Sequence, residues 1–285
     1  MKIKTLLLIP SFLLSFSYAA SPLWKVSDGI STLYIGGTVH LLGTNDYPLP
    51  DAFSIAYKNS QKLVFETDLT QMENPATQAL MMQKMMLPPG QTLKTVLTPS
   101  TYQKLHDYMT LKGIPIEMMH GFKPAMISVT LSMMEIQKMG QGGTGVDKFY
   151  QLQAIQDKKN GQLEKVEEQI EFIASMGKGQ EDEFIIYTLR DLKILPQMLT
   201  DIKKAWRVGD LKQLTEIGIS PLKNEFPDIY KTLMTDRNSA WMPQILDMFK
   251  DTQTELVLVG ALHLAGSDGL IAQLKSKGFS VKQMD

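Results

Sequence analysis

Glu255–Gly266, ELVLVGALHLAG, decides the fold. Its four consecutive apolar residues, Leu256–Val259, read as a short buried strand that ends on Gly260. His263 follows three residues later, and Gly266 closes the loop. Near the other end of the chain, Thr32–Ile35 runs into Gly37-Thr38-Val39-His40-Leu41-Leu42-Gly43. GTVHLLG and GALHLAG therefore share the pattern G-x-x-H-L-x-G. Two of the four histidines in the chain stand at the same offset from a strand-terminating glycine.

Each histidine loop is the middle of a longer unit. In the first, Leu23–Val26 and Thr32–Ile35 read as a hairpin turned by Ser27-Asp28-Gly29. After the His40 loop, Tyr47-Pro48-Leu49-Pro50 leads into an amphipathic helix carrying Ala52, Phe53, Ile55 and Ala56. Lys62-Leu63-Val64-Phe65-Glu66 is the next strand, and a strand, crossover helix and strand usually form a parallel pair. In the second unit Ser267 suits the N-cap of a helix whose buried stripe is Leu270, Ile271 and Leu274. Lys275 and Lys277 lie in its last turn, Gly278 suits the position after it, and another strand begins at Phe279–Val281. The fold class expected is α/β, with a mixed sheet core from two strand–GxxH–helix–strand repeats at the chain ends and a large helical insert.

The insert covers about residues 69–250. Thr98 and Pro99 supply a cap and a first-turn proline for a helix with Tyr102, Leu105 and Met109, stopped at Gly113. Helical spacing also runs through Ile127–Met139, Val166–Ser175, Asp182–Trp206 and Asp228–Lys250. Pro88-Pro89-Gly90 and Gly140–Gly145 are the clearest breaks, and the pattern suggests no second independent core.

Residues 1–20 read as a signal peptide. Lys2 and Lys4 precede an apolar run, Leu6–Phe16, and Ser17-Tyr18-Ala19 has the small-x-small pattern of a cleavage site. That run is short for a membrane span and has no counterpart later, so no stable membrane insertion is expected after its removal. Residues 21–285 then form one exported unit, periplasmic or secreted. The chain has no cysteine, which removes disulfides, thiol ligands and a lipid-attachment site. With 29 basic and 30 acidic residues and no basic stripe, nucleic acid is not an expected partner.

Strand C-termini in a parallel sheet share one edge, where ligands bind. His40, Glu66 and His263 each follow such an end, so one sheet would bring them together. Two imidazoles and a carboxylate are a donor set for a catalytic divalent ion that activates water. The metal-free alternative uses Glu66 and one histidine as general bases. Arg237-Asn238, in a helical run, is either an anion clamp or oxyanion donor, or else the arginine makes an ordinary surface salt bridge. Asp147 reads first as a helix N-cap and secondly as a carboxylate orienting a histidine. Glu66 and Asp68 taken singly also suit plain strand-end carboxylates. His106 and His120 read as structural. The methionine pairs, among 19 methionines, read as core filling in the insert, with a pliable groove for a peptide or small hydrophobic substrate as the alternative. P-loop, HExxH and GxSxG patterns are absent from the sequence.

At these residues the chain resembles the TraB/GumN family, which includes the TIKI proteins. The features that carry the resemblance begin with Trp24-Lys25-Val26-Ser27-Asp28-Gly29, Thr32-Leu33-Tyr34, Gly37-Thr38-Val39-His40 and the strand ending in Glu66. They continue through Leu87-Pro88-Pro89-Gly90-Gln91-Thr92-Leu93, Phe122-Lys123-Pro124, Gly145-Val146-Asp147 and Glu164 with Glu167-Glu168-Gln169. Arg237-Asn238 and Gly260-Ala261-Leu262-His263 complete them. The resemblance implies a metal-dependent, peptidase-like hydrolase holding Mn, Co or Zn through His40, Glu66 and His263, with Arg237 as a helper. Related folds include a haem-binding lipoprotein and the erythromycin esterases, which keeps haem, iron or peptide binding without catalysis, and metal-free ester hydrolysis, as alternatives.

Overall fold

The computed structural model describes residues 20–157 and 159–285. The expected signal peptide, apart from its last residue, lies outside the described residues. Six strands form the main sheet: β1 (Leu23–Ser27), β2 (Thr32–Thr38), β3 (Lys62–Phe65), β4 (Lys159–Gln162), β5 (Glu255–Gly260) and β6 (Ser280–Gln283). Their order across the sheet is β4-β3-β5-β2-β1-β6. Neighbours among β4, β3, β5 and β2 pair in parallel, whereas β1 runs antiparallel to β2 and β6. The sheet is mixed, as expected. β2 and β3 are not neighbours, however: β5, from the far end of the chain, pairs with both. The most apolar strand takes the most buried slot, where both faces of its side chains are covered.

Alternation along β5 sorts the core into two layers. Leu256 and Leu258 join Leu23, Phe53, Phe65 and Trp206 on one face. Val257 and Val259 join Ile35, Val64, Trp241 and Leu270 on the other. The first face is covered by α1 (Asp51–Asn59), by Tyr150 and Ala154 of a helix starting at Val146, and by the end of a long helix at Trp206. Ile55, expected on the buried stripe of α1, is exposed, and Tyr57 takes the buried place.

Within the insert, α2 (Pro75–Met85), α3 (Pro99–Leu111), α4 (Pro124–Lys138), α5 (Val146–Asp157), α6 (Val166–Ser175), α7 (Glu181–Arg207) and α8 (Asp236–Asp247) follow in order. Thr98 caps α3, Pro99 opens it, and Gly113 beyond its end has φ of +72°. Two readings need correction. The insert contains β4, whose polar sequence KNGQ gave no apolar signal because it forms an exposed sheet edge. The insert also carries its own apolar cluster, with Leu105 and Met109 of α3, Ile127 and Leu131 of α4, and Ile185, Leu192 and Leu195 of α7. The 27-residue α7 ties the cluster to the sheet, because its last turn places Ala205 and Trp206 in the sheet core. Trp206 Nε1 donates to the Gly37 carbonyl at 2.7 Å, at the end of β2.

At the C-terminus, Gly269 rather than Ser267 precedes α9 (Leu270–Ser276), while Gly278 has φ of +90° as its place after the helix requires. Leu270, Ile271 and Leu274 are buried as expected.

Trp206→Ala is expected to lower stability by about 3–5 kcal/mol, since it opens a cavity at the junction of insert and sheet. Urea unfolding would show the loss. A cost below about 1 kcal/mol would mean that α7 is not the tie described.

Candidate active site

The parallel register brings the strand ends level. Thr38 pairs with Gly260, and Phe65 with Leu258. His40 lies two residues beyond β2, Glu66 one beyond β3, Glu164 two beyond β4 and His263 three beyond β5. All four therefore meet at one edge of the sheet, and α8 closes it from the side with Arg237, Asn238 and Trp241.

The guanidinium of Arg237 is the hub. Nε donates to Glu164 at 3.0 Å, Nη2 to Glu164 at 2.7 Å and to Glu66 at 2.6 Å. Nη1 donates to the Leu233 carbonyl at 3.4 Å and lies 3.0 Å from His263 Nε2. Five N–H groups therefore have five partners, and none is spare for a substrate. Trp241, one helical turn along α8, stacks beneath the guanidinium at 4.6 Å and donates its Nε1 to Glu164 at 3.1 Å. A π-helical turn, Lys231–Thr235, feeds into α8 just before these residues.

This network sets the His263 tautomer. A guanidinium only donates, so His263 Nε2 must accept and its proton sits on Nδ1, 2.8 Å from Asn238 Oδ1. The Asn238 amide in turn donates to the carbonyls of His263 and Asp268. Burial, followed by the neighbouring Arg237 and His40 charges, outweighs the attraction of Glu66 and lowers the His263 pKa to about 3. His263 is a fixed, neutral acceptor.

Glu66 is pushed up by burial, yet His263, Arg237 and His40 with the Gly260 N–H pull it down to about 2. His263 is neutral above about pH 3, so the pull at working pH comes from Arg237, from the charged His40 and from Gly260 N, 2.6 Å from Oε1. Glu164, which shares the same cation, is shifted up chiefly by its burial. One positive charge thus holds two carboxylates in a site where water is scarce.

His40 stands apart from the hub, at the mouth. Its Nδ1 lies 2.7 Å from Asp147 Oδ2 in α5, and 62% of its side-chain surface is exposed. Gly145 makes the pairing possible: a Cβ there would sit 2.2 Å from the His40 carbonyl oxygen, so only glycine lets α5 start against this loop. Val146 N then bonds the Val39 carbonyl at 3.1 Å. Partial desolvation of the ring favours neutral His40, but the Asp147 charge and hydrogen bond, helped by Glu66, win and raise its pKa to about 9. Asp147 thus orients the histidine, the second of its two sequence readings.

The cleft these groups open on has a volume of about 370 Å³. Beside His40, Glu66 and Asp147, its walls include Phe65, Leu69, Met72 and Ile173. Asp68, in contrast, caps the short helix Leu69–Met72 through the Thr70 N–H. His120 bonds the Tyr102 hydroxyl at 2.7 Å and His106 lies beside Asp107, both away from the cleft. Met81 and Met85 pack into the insert, Met82, Met86 and Met118 are exposed, and Met72 reaches the cleft.

A family model described as the TraB/PrgY/gumN family matches residues 22–283. The chain belongs to this family. Among curated relatives, the uncharacterized protein YbaP of Escherichia coli (strain K12) is 26% identical over 246 residues, covering 84% of this chain and 86% of YbaP. YbaP of Shigella flexneri matches with the same figures. No solved structure matches the chain.

The metal expected from the TraB resemblance can be tested against the donor atoms. Each histidine is held through Nδ1 by an oxygen, which is how ligating imidazoles are oriented. Arg237, however, occupies the His263 Nε2 lone pair and one Glu66 oxygen. His263 Nε2 and Glu66 Oε1 are 4.0 Å apart, wide for two ligands about 2.1 Å from one tetrahedral ion. Among the described residues no three His, Cys, Asp or Glu side chains stand so as to hold an ion. As arranged, the set does not fit one.

Glu164, Asn238 and Trp241 are the members whose roles the sequence did not disclose. The spacing Arg237-Asn238-x-x-Trp241 puts an arginine and a tryptophan on one helix face, but the same spacing suits any surface helix.

Two outcomes are expected. Removing Arg237 leaves two buried carboxylates without a cation, so Arg237→Ala should cost about 3–5 kcal/mol, and Arg237→Lys should restore little because one ammonium cannot replace the planar fork. The pH dependence follows from lowered folded-state pKa values at His263 and Glu66: their contribution is whole above about 6.5 and is lost as pH falls through about 3 and then 2. Thermal unfolding should show stability dropping steadily below pH 6.5, and dropping less in His263→Asn.

Proposed function

We propose that this TraB-family protein is an exported hydrolase that cleaves an acyl bond, peptide-like in the first instance, at the His40 cleft. The observation that carries the reading is the His40–Asp147 pair, whose Nδ1···Oδ2 separation is 2.7 Å, at the mouth of a cleft floored by Glu66. Asp147 directs the His40 ring so that Nε2 faces the floor, where it lies 3.9 Å from the position of a Cβ on Gly260. A base oriented by a carboxylate is the arrangement that general base catalysis needs.

In this scheme His40 Nε2 takes a proton from water while the water oxygen bonds to the substrate carbonyl carbon. The tetrahedral intermediate collapses when His40 returns that proton to the leaving nitrogen or oxygen, which breaks the acyl bond. Glu66, held ionised, accepts a hydrogen bond from the same water. Arg237, with every donor engaged, acts by holding Glu66 and His263 rather than by touching substrate, which departs from the helper role expected of it. A metal-dependent version, using Mn, Co or Zn on His40, Glu66 and His263, is favoured only by the Nδ1 partners of the two histidines and requires Arg237 to withdraw.

The test is hydrolysis of a quenched-fluorescence peptide library and of p-nitrophenyl esters by residues 21–285, with elemental analysis of the same preparation. His40→Ala is expected to lower kcat/KM by about 10²-fold or more at unchanged thermal stability. Only neutral His40 accepts a proton, so the rate should rise with pH between about 6.5 and 9. Asp147→Asn, which removes the cause of the raised pKa, should move that limb to lower pH. Full activity in the double variant His40→Ala/His263→Ala would end the proposal. Stoichiometric metal lost on His263→Ala would replace the metal-free scheme by the metal-dependent one.

A further inference from the structure

Three polar atoms on the walls of the His40 cleft have no hydrogen-bond partner: Thr38 Oγ1, Thr67 Oγ1 and Asp147 Oδ1. Their residues are 3%, 2% and 8% exposed. A buried polar group left without a partner costs about 1–3 kcal/mol, and native chains keep few of them. Among the described residues one other side-chain atom is in this state, Glu255 Oε2, at the start of β5 and therefore at the opposite end of that strand. Three of four such atoms therefore gather where the proposed chemistry would occur.

The register explains how they are arranged. Thr38 pairs with Gly260, and Thr67 follows two residues after Phe65, the last residue of β3, which pairs with Leu258. Gly260 thus has Thr38 paired with it on one neighbouring strand, and Thr67 lies just beyond the end of the other. A Cβ at Gly260 would lie 3.2 Å from Glu66 Oε1, 3.7 Å from His263 Cδ2 and 3.9 Å from His40 Nε2. Any side chain at this position would fill the space that the reactive groups surround.

We infer that Thr38, Thr67 and the free oxygen of Asp147 form the subsite that binds the polar part of the substrate, and that its ligand is an amide. The two hydroxyls donate to the carbonyl oxygen and Asp147 Oδ1 accepts the N–H. An ester offers no N–H and would leave the Asp147 oxygen unpaired, a mismatch that sites of this kind discriminate against. Phe65, Leu69, Met72 and Ile173 on the same cleft suit an apolar side chain next to that amide. The inference rests on the hydrolase reading for its use but not for its test.

The test is binding of acetyl-leucinamide, followed by calorimetry and by the threonine methyl resonances, in the wild-type protein, Thr38→Val, Thr67→Val and Thr38→Ser. Valine keeps the shape and removes a hydroxyl that has no partner in the protein, so the melting temperature should stay or rise. Each valine variant is expected to weaken binding about tenfold or more, and Thr38→Ser to bind within about threefold of wild type. Three results would overturn the inference: no binding by wild type at about 10 mM probe, equal binding by the valine variants, or melting temperatures that fall on loss of the hydroxyls. Binding as expected with no hydrolysis of any peptide or ester would keep the subsite and sink the hydrolase reading instead.

Discussion

One buried cation organises this end of the molecule. Arg237 is the point at which β3, the segment after β4, the loop after β5 and α8 are held together, because each delivers a group that the guanidinium must satisfy. Burying a guanidinium is costly unless every donor is used, and here every donor is used. The converse also holds: without it Glu66 and Glu164 would be two acids in a site too dry for either charge. Trp241 beneath the guanidinium and the Asn238–His263 bond fix the remaining degrees of freedom. The result is a rigid floor.

Against that floor the His40 loop has a different character. It is more exposed, its ring is held by one carboxylate, and its position depends on α5 starting tightly against it at Gly145. The electrostatics divide the two histidines in the same way. His263 is pinned neutral by burial next to a cation, and His40 is drawn toward its charged form by Asp147. Two residues that look alike in the repeat G-x-x-H-L-x-G therefore stand in unlike electrostatic environments.

Several features are legible in the sequence itself. The apolar run at Leu256–Val259 and the glycine after it placed β5 and its loop, and the matching run before Gly37 placed β2, so His40 and His263 were recognisable as partners. Thr98-Pro99 and Gly113 bounded α3 by capping chemistry alone. The edge strand β4 was not legible, because an exposed strand of four polar residues carries no hydrophobic period. The separate apolar cluster of the insert was hidden for a related reason: the spacing of Ile185, Leu192 and Leu195 marks one face of a helix without saying which neighbour covers it.

Local pattern thus determined the apolar strands, the long helices and which two histidines follow strand ends, since these depend on a residue and its near neighbours. The tertiary structure decided the rest. It put β5 between β2 and β3, aligned Thr38 and Gly260, gave Asp147 to His40 instead of leaving it a cap, and delivered Glu164 and Trp241 to Arg237. Those outcomes depend on contacts between residues far apart in the chain, whose energies come from burial and charge pairing in three dimensions, and no spacing along the sequence encodes them.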